Sequence, residues 1–333
     1  MKVLEKSRMR DLLAAIMAAG SRLVAPVERE GSHRFAWVDS AAEVRLPDIT
    51  CDNTIKEFFF PRAERLLTYK RAANRVDITA PAVSEAPFVV FGCRPCDAAA
   101  LDIVDRVFNW DSPDKTWNAR REAATVVTIA CSRADEYCFC TSVGLAPDSR
   151  TGSDVILLPL ESGDFAVETV TDKGRAFVEK YAASLSDQKD TAAKIASVPQ
   201  KADATAAAKW LKANFDSGLY ADASERCLGC GICTYYCPTC HCFDIQDEAD
   251  GLSGARLKAW DSCSFALFTK HTSGHNPRAD RPSRWRQRIM HKFSYYPDLF
   301  GVISCTGCGR CGRMCPVDLG VLETLTAIPG EDT

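Results

Sequence analysis

The sequence lacks the features that would direct the chain to a membrane, a nucleic acid or a nucleotide. Its first residues, which include Lys2, Glu5 and Lys6, contain no apolar core of a secretory signal peptide, and no apolar run approaches membrane-spanning length. The net charge of −3 gives no general attraction to nucleic acid or to an anionic membrane. No G-x-G-x-x-G motif follows a predicted strand, and neither a P-loop nor a Ser-His-Asp arrangement is recognisable. We therefore expect a cytoplasmic protein without a flavin or nucleotide of its own.

Cysteine, by contrast, is abundant, with 17 among 333 residues. In a chain without an export signal, this number argues against a disulfide scaffold and for metal ligation. Eight of the cysteines form two runs with the spacing C-x2-C-x2-C-x3-C-P. The first run is Cys227, Cys230, Cys233 and Cys237, and the second is Cys305, Cys308, Cys311 and Cys315. This is the pattern of two-cluster bacterial ferredoxins, in which the fourth cysteine of each run ligates the other 4Fe–4S cluster.

The ferredoxin pattern predicts a crossed assignment of ligands. One cluster is expected on Cys227, Cys230, Cys233 and Cys315, and the other on Cys305, Cys308, Cys311 and Cys237. We expect Cys237 and Cys315 each to open a helix that carries its sulfur to the other cluster. Glycines in the loops, such as Gly229 and Gly307, would let backbone N–H groups approach the cluster sulfides. Structural zinc is the alternative for the same cysteines.

The N-terminal half predicts an α/β domain with a partly parallel sheet. Residues 87–91 and 125–130 are apolar runs typical of buried strands. Pro95 is expected to start a helix that runs to about Phe108, and a second helix should lie between Asp114 and Glu122. A strand, a helix and a strand at this spacing indicate a parallel pair with a right-handed crossover.

Five cysteines lie just beyond these two strands. Cys93 and Cys96 follow the first strand, Cys131 follows the second, and Cys138 and Cys140 come shortly after it. Ligands in open α/β sheets gather beyond the carboxyl ends of the strands. We therefore predict a third 4Fe–4S cluster on Cys96, Cys131, Cys138 and Cys140, with Cys93 spare. The alternative is that these cysteines pack as small buried hydrophobic residues.

Other segments complete the predicted fold, which we class as α+β. A helix is expected over residues 3–19, two strands over 22–26 and 34–38, a helix from Pro61 through Leu67, and surface helices over 172–221. The predicted boundaries are an α/β domain at 1–171, a helical linker at 172–223 and a mainly helical two-cluster ferredoxin domain at 224–333. The long insert between the runs, residues 238–304, favours a helical ferredoxin arrangement over the small ββ-rich one.

Three further cysteines have no standard pattern. Cys240, Cys242 and Cys263 could form an additional iron–sulfur or zinc site with a nearby histidine, or could pack around the clusters as weak S–H donors. The candidate histidines are His241, His271 and His275. Cys51 has no partner pattern and is interpreted as structural.

One helix in the insert carries two stripes at helical spacing. The apolar stripe is Trp285, Ile289 and Phe293, and the neighbouring basic stripe is Arg284, Arg288 and Lys292. A wider basic patch comprises Arg278, Arg281, Arg284, Arg286, Arg288 and Lys292. A solvated helix face is the default interpretation of this basic patch. The alternative is that some of these cations neutralise the clusters or meet an acidic partner.

Several motifs together resemble one family. They are Cys227-Leu-Gly-Cys-Gly-Ile-Cys-Thr, Cys237-Pro-Thr-Cys-His-Cys-Phe-Asp244, Trp260-Asp-Ser-Cys263, Cys305-Thr-Gly-Cys-Gly-Arg-Cys311 and Arg94-Pro-Cys-Asp97. From about residue 55 onward the chain is similar to the iron–sulfur β subunits of soluble cytoplasmic NiFe sulfhydrogenases. The A subunit of anaerobic sulfite reductase and the flavin-oxidoreductase modules of heterodisulfide reductase share that architecture. The position of Cys93 is commonly not cysteine in this family, which supports leaving it out of the ligand set.

The resemblance implies an electron-transfer role. In such complexes a partner subunit with FAD exchanges electrons with NAD(P)H, and the clusters pass single electrons to a terminal catalytic subunit. The terminal subunit would be a NiFe hydrogenase, a heterodisulfide reductase or a sulfite reductase. We therefore expect a non-catalytic electron-transfer subunit with at least two and up to three clusters. The alternative is a thiol- or sulfur-reducing enzyme that uses the region of Cys240, Cys242 and Cys263.

Overall fold

The computed structural model describes residues 2–187 and 192–329 and shows an α+β protein. Its strands are β1 (Lys2–Leu4), β2 (Arg22–Arg29), β3 (Ser32–Val38), β4 (Ala63–Ala72), β5 (Arg75–Thr79), β6 (Phe88–Cys93), β7 (Ala124–Ile129), β8 (Val155–Pro159), β9 (Phe165–Thr169), β10 (Ser186–Asp187), β11 (Phe243–Asp250) and β12 (Ser253–Trp260). Its helices are α1 (Met9–Ala18), α2 (Pro95–Phe108), α3 (Lys115–Ala123), α4 (Asp172–Lys180), α5 (Ala204–Ala213), α6 (Leu219–Ser224), α7 (Ile232–Tyr235), α8 (Arg281–Met290), α9 (Tyr296–Phe300), α10 (Arg310–Arg313) and α11 (Val321–Thr326). A π-helical turn, His291–Tyr295, joins α8 to α9.

The larger sheet has the order β10-β1-β9-β8-β7-β6-β2-β3. Its centre is parallel, because β2 pairs with β6, β6 with β7 and β7 with β8 in the same direction. Every residue of β6 is buried, as expected for a strand covered on both faces. The predicted parallel pair and the two helices beside it are thereby confirmed.

Helices cover both faces of this sheet. One face packs against α1, through residues such as Leu13 and Ile16, and the other against α2, through Leu101 and Val104. Pro95 occupies the first turn of α2, where its missing N–H costs nothing. Asp114 caps α3 by accepting hydrogen bonds from two backbone N–H groups. Because β6 ends at Cys93 and α2 begins at Pro95, the start of α2 lies at the sheet edge where the predicted cysteine ligands of the third cluster gather.

A smaller antiparallel sheet, with the order β11-β12-β4-β5, joins segments that are far apart in the sequence. The predicted helix from Pro61 through Leu67 is wrong, because Ala63–Ala72 is a strand that pairs with both β12 and β5. The pairing with β12 is long-range, so no local pattern reveals it, whereas β5 is a hairpin partner that begins three residues after β4 ends. Lys258 on β12 is buried between Glu64 and Asp114, at 3.0 and 3.1 Å, and fastens the sheet to α3.

The C-terminal part packs around its own core, which contains the apolar stripe predicted for α8 and the following turn. Trp285, Ile289 and Phe293 are all buried there, together with Leu211 of α5. The insert between the two cysteine runs also contains the β11–β12 hairpin, so it is not built from helices alone. Neither Cys237 nor Cys315 opens a helix, and this expectation is wrong. Thr239 donates to the carbonyl of Ser304 at 2.9 Å, which holds the segment after Cys237 in a turn.

At the N-terminus, the predicted helix over residues 3–19 is confined to Met9–Ala18, because Lys2–Leu4 joins the sheet beside β9 and β10. The predicted linker contains α4, α5 and α6, and residues 188–191 within it lie outside the described residues. The division into an α/β domain, a helical linker and a ferredoxin domain stays a prediction. In the part of the chain that the structure describes, no helix is both long and apolar enough to cross a membrane.

Candidate iron–sulfur centres

The two cysteine runs adopt the same local structure. In each run a glycine with positive φ, Gly229 or Gly307, directs its N–H at the sulfur of the first cysteine, at 3.4 and 3.5 Å respectively. A second glycine, Gly231 or Gly309, then precedes the short helix α7 or α10. Such N–H groups aimed at sulfur are what a bound iron–sulfur cluster requires of its loop. The identical spacing in the sequence therefore corresponds to identical geometry.

The cavity beside the first run brings together the four cysteines of the crossed assignment. It measures about 350 Å³ including its open mouth. The cysteines that line it are Cys227, Cys230, Cys233 and Cys315. Trp285 and Leu319 line its apolar side, and Cys230 is exposed to solvent. This arrangement supports assigning Cys315 to the first run.

Cys237 lies on the side of the second run. The sulfurs of Cys305 and Cys311 are close enough to Cys237 to influence each other electrostatically. Cys237 is buried, and the ammonium of Lys292 lies 3.3 Å from its sulfur. These neighbours support the second crossed assignment, of Cys237 with the cysteines of the second run.

A further cavity, of about 430 Å³ including its mouth, lies where the N-terminal half meets the second run. The predicted third set lines it, namely Cys96, Cys131, Cys138 and Cys140. Gly307 and Cys308 of the second run line the same cavity. Cys93, in contrast, is fully buried in the sheet core and lies 3.5 Å from the hydroxyl of Thr128. The geometry fits a cluster in this cavity and leaves Cys93 out of it.

A buried ion pair joins the N-terminal α/β part of the chain to the second cysteine run beside this cavity. Arg310, which lies between Cys308 and Cys311 in the second run, faces the carboxylate of Asp97 at 2.8 Å. Both side chains are almost completely buried, with 1% and 0% exposure. Arg310 also donates to the carbonyl of Cys51, at 2.8 Å. The sequence does not predict this pair, because its partners lie more than 200 residues apart, and the one signal is the charged residue within each cysteine motif, Asp97 and Arg310.

The glycines of the second run pack against the N-terminal half. A Cβ at Gly307 would lie 2.5 Å from backbone atoms of Cys140, and one at Gly309 would lie 2.5 Å from the carbonyl oxygen of Tyr137. The need for glycine here therefore comes from this close approach as well as from the positive φ.

Gly307→Ala should displace the loop around Cys140. It should thereby reduce the amount of the third cluster, the one expected on Cys96, Cys131, Cys138 and Cys140. Gly301→Ala is the matched control, since Gly301 has a similar φ of +73° but open space around its Cβ position. We expect loss of about 4 irons per chain in the first variant and none in the second, measured as iron and acid-labile sulfide. Equal iron content in the two variants would contradict the close packing of these loops.

Burial keeps most of these thiols protonated in the cluster-free chain. It raises the pKa of Cys138 and Cys305 to about 12 and the pKa of Cys140 to about 11. Cys237 differs, because a hydrogen bond from Cys240 and then the Lys292 ammonium hold its pKa well below the usual value despite burial. Cluster binding must therefore release protons at most of these positions.

The default interpretation of the basic patch, a solvated helix face, is wrong for two of its members. Arg288 and Lys292 are only 2% and 3% exposed. Arg288 donates to the sulfur of Cys240 at 3.3 Å, and Lys292 lies at the same distance from the sulfur of Cys237. The alternative, in which these cations face the cysteine sites, agrees with the contacts.

Lys292→Met should lower the reduction potential of the second-run centre. Removing a buried positive charge 3.3 Å from a ligand sulfur favours the oxidised form, which carries less negative charge. We expect a shift on the order of 60 mV, a tenfold change in a one-electron equilibrium. An anaerobic redox titration followed by electron paramagnetic resonance (EPR) would measure it, with the exposed Lys270→Met as control. An unchanged or raised potential would contradict the assigned role of Lys292.

Cys240, Cys242 and Cys263 lie together at the base of the β11–β12 hairpin. The thiols of Cys242 and Cys263 are within hydrogen-bonding reach of each other. Among the described residues, no three His, Cys, Asp or Glu side chains converge closely enough to hold a single metal ion. His241 is half-buried and packs against His291, whereas His271 and His275 are exposed and face each other.

Comparisons with known proteins agree with this geometry. A family model described as a 4Fe-4S dicluster domain matches residues 226–319, which include both cysteine runs. The chain is also 31% identical to Sulfhydrogenase 2 subunit beta of Pyrococcus furiosus over 318 residues, 92% of either protein. The chain belongs to the iron–sulfur β-subunit family of the sulfhydrogenases. No solved structure matches it significantly.

Membership in this family confirms the resemblance inferred from the motifs. It also confirms the coarse functional prediction, an iron–sulfur protein of electron transport that contains 4Fe–4S clusters. Its relative is, by name, one subunit of a larger enzyme.

Proposed function

We propose that this chain is the electron-transfer subunit of a multi-subunit redox complex. It would pass single electrons between an FAD-containing flavoprotein that uses NAD(P)H and a terminal subunit of the NiFe hydrogenase, heterodisulfide reductase or sulfite reductase type. Two 4Fe–4S clusters would be held by the crossed sets of the two runs. A third would be held by Cys96, Cys131, Cys138 and Cys140.

The observation that carries this proposal is the continuity of the cysteine groups through the molecule. Cys308 lines the cavity of the third set while its own run lies beside Cys237. Cys315, in turn, connects the second run to the cavity of the first. A series of adjoining redox sites is what a protein needs in order to conduct electrons between two partners.

The first-run cavity is the natural place for electrons to enter or leave. Cys230 is exposed, and the neighbouring Leu228 is 66% exposed. The third cavity lies between the two halves of the chain, next to Cys308. We therefore assign the first-run centre to the contact with one redox partner.

Purification of the native complex under anaerobic conditions tests the proposal. We expect a flavoprotein and a terminal redox enzyme to co-purify with this chain. The isolated chain should not oxidise NADH or NADPH, and its clusters should become reduced once the flavoprotein and NAD(P)H are added. Tightly bound FAD and NADH-dye activity in the pure chain would contradict the proposal.

A further inference from the structure

A cleft opens at the carboxyl ends of the parallel strands β7 and β8. It measures about 1850 Å³ including its open mouth, and Ile129 and Pro159, the last residues of the two strands, line it. Buried apolar side chains such as Leu13 of α1 and Leu160 after β8 form its floor. Open α/β sheets commonly bind their ligands beyond the carboxyl ends of the strands. No cysteine lines this sheet-end cleft, so its role is separate from cluster ligation.

The lining of the sheet-end cleft is strongly positive. Its cations outnumber its carboxylates by six to two. The cations are Lys6, Arg10, Arg45, Arg94, Arg133 and Lys194, and the carboxylates are Asp48 and Glu161. The chain as a whole, in contrast, has a net charge of −3. The cleft therefore has the opposite sign to the rest of the molecule, and a concave surface of one sign attracts a partner of the other.

Several of these cations are available to a partner. Both carboxylates are already paired across the rim, since Asp48 lies 2.9 Å from Arg133 and Glu161 lies 3.3 Å from Lys194. Asp164 adjoins the rim, but it accepts its hydrogen bonds from a backbone N–H and a serine hydroxyl. In the described parts of the chain, three exposed cations of the rim have no carboxylate within salt-bridge distance, namely Lys6, Arg10 and Arg45. The cleft can therefore receive carboxylates from another molecule.

The sheet-end cleft adjoins the cavity of the proposed third centre. Arg94 and Arg133 line both of them. Arg94 is buried, and it donates to the carbonyls of Pro47 and Ile49 at 2.6 and 2.7 Å, which fixes the wall between cleft and cavity. A redox protein seated in the cleft would therefore lie beside the third centre, where electron exchange with that centre requires it to be.

We propose that the sheet-end cleft is the docking site for an acidic surface of the second redox partner, which exchanges electrons with the third centre. This inference rests on the proposed function, in which the first-run centre meets the other partner. Complementary charge across the contact speeds the encounter and fixes the orientation of the two proteins. The apolar floor of the cleft buries a side chain of the docked segment, which adds contact area to the charge pairing.

Zero-length carbodiimide cross-linking of the native complex tests the location, because this reagent joins an amine only to a carboxylate in direct contact. We expect Lys6 and Lys194 to be joined to Asp or Glu residues of a redox partner. The exposed Lys70, on the smaller sheet, is the control and should give no such product. A complex that contains both redox partners but gives no cross-link from the cleft would overturn this inference alone. A complex without any redox partner would overturn the proposed function with it.

The charge-reversal variant Arg10→Glu/Arg45→Glu tests the electrostatics in the reassembled complex. Both positions are exposed, and a glutamate at the start of α1 suits the positive end of the helix dipole. At low salt we expect electron transfer between the third centre and its partner to slow about tenfold or more, and added salt to reduce the difference. Lys70→Glu/Arg71→Glu makes the same change in net charge outside the cleft, and it should slow transfer less than about twofold.

Two results of this comparison would overturn the proposal. Equal slowing in the two double variants would mean that net charge alone matters. Tight binding of inorganic pyrophosphate to the isolated wild-type chain, lost in Arg10→Glu/Arg45→Glu, would instead identify the cleft as a site for a small anion. Unchanged iron and sulfide content in both variants shows that each has folded.

Discussion

Replacing Cys315 by alanine should remove the centre bound by the first run and leave the centre of the second run in place. The reason is the cavity in which Cys315 lies beside Cys227, Cys230 and Cys233, although it follows Cys311 in the sequence. Loss of that cluster should also loosen the C-terminal core, because metal binding and folding are coupled. EPR and Mössbauer spectra that resolve the centres would measure the effect.

The crossed assignment has a reciprocal control. Cys237→Ala should damage the centre of Cys305, Cys308 and Cys311 and preserve the first-run centre, whereas Cys51→Ser should preserve both. If Cys315→Ala removes only the second-run centre, each run holds its own cluster and the crossed topology is wrong.

Arg310→Met should destabilise the fold by about 3–5 kcal/mol, the usual cost of removing one partner from a buried ion pair. The substitution would leave the carboxylate of Asp97 buried without its cation, directly beside Cys96. We therefore expect both a lower unfolding midpoint and loss of the third centre. Anaerobic thermal unfolding, together with iron analysis, would measure both effects.

The exposed pair of Arg256 and Asp247 is the matched control for Arg310. Its partners are 2.8 Å apart, and both side chains are 48% exposed. Arg256→Met should cost less than about 1 kcal/mol, since water screens an exposed pair. Equal destabilisation by the two substitutions would contradict the role given to the buried pair.

Local sequence patterns were sufficient to predict the central parallel strands of the N-terminal sheet. Phe88–Cys93 and Ala124–Ile129 are continuous apolar runs with helices between them, and such runs form parallel strands covered on both faces. The same reasoning failed for Ala63–Ala72. One partner, β12, lies almost 200 residues further along the chain, and the helix expected from Pro61 outweighed the signal of the local hairpin with β5.

The burial of charged residues could not be predicted from the sequence either. Periodicity placed Trp285, Ile289 and Phe293 in the core, as the structure confirms. It could not show that Arg288 and Lys292 are buried too, because a charged side chain is buried only where a distant group balances it. The spacing of the cysteines predicted the candidate cluster sites. The contacts of Arg288 and Lys292 with cysteine sulfurs, in contrast, could be identified only from the structure.

The iron and acid-labile sulfide content of the anaerobically purified chain tests the central claim most directly. At least about 12 irons and 12 sulfides per chain are expected, because two crossed ferredoxin-type clusters and a third cluster each contribute four. Mössbauer spectra should show that this iron belongs to cubanes. Stoichiometric zinc without acid-labile sulfide would contradict the account.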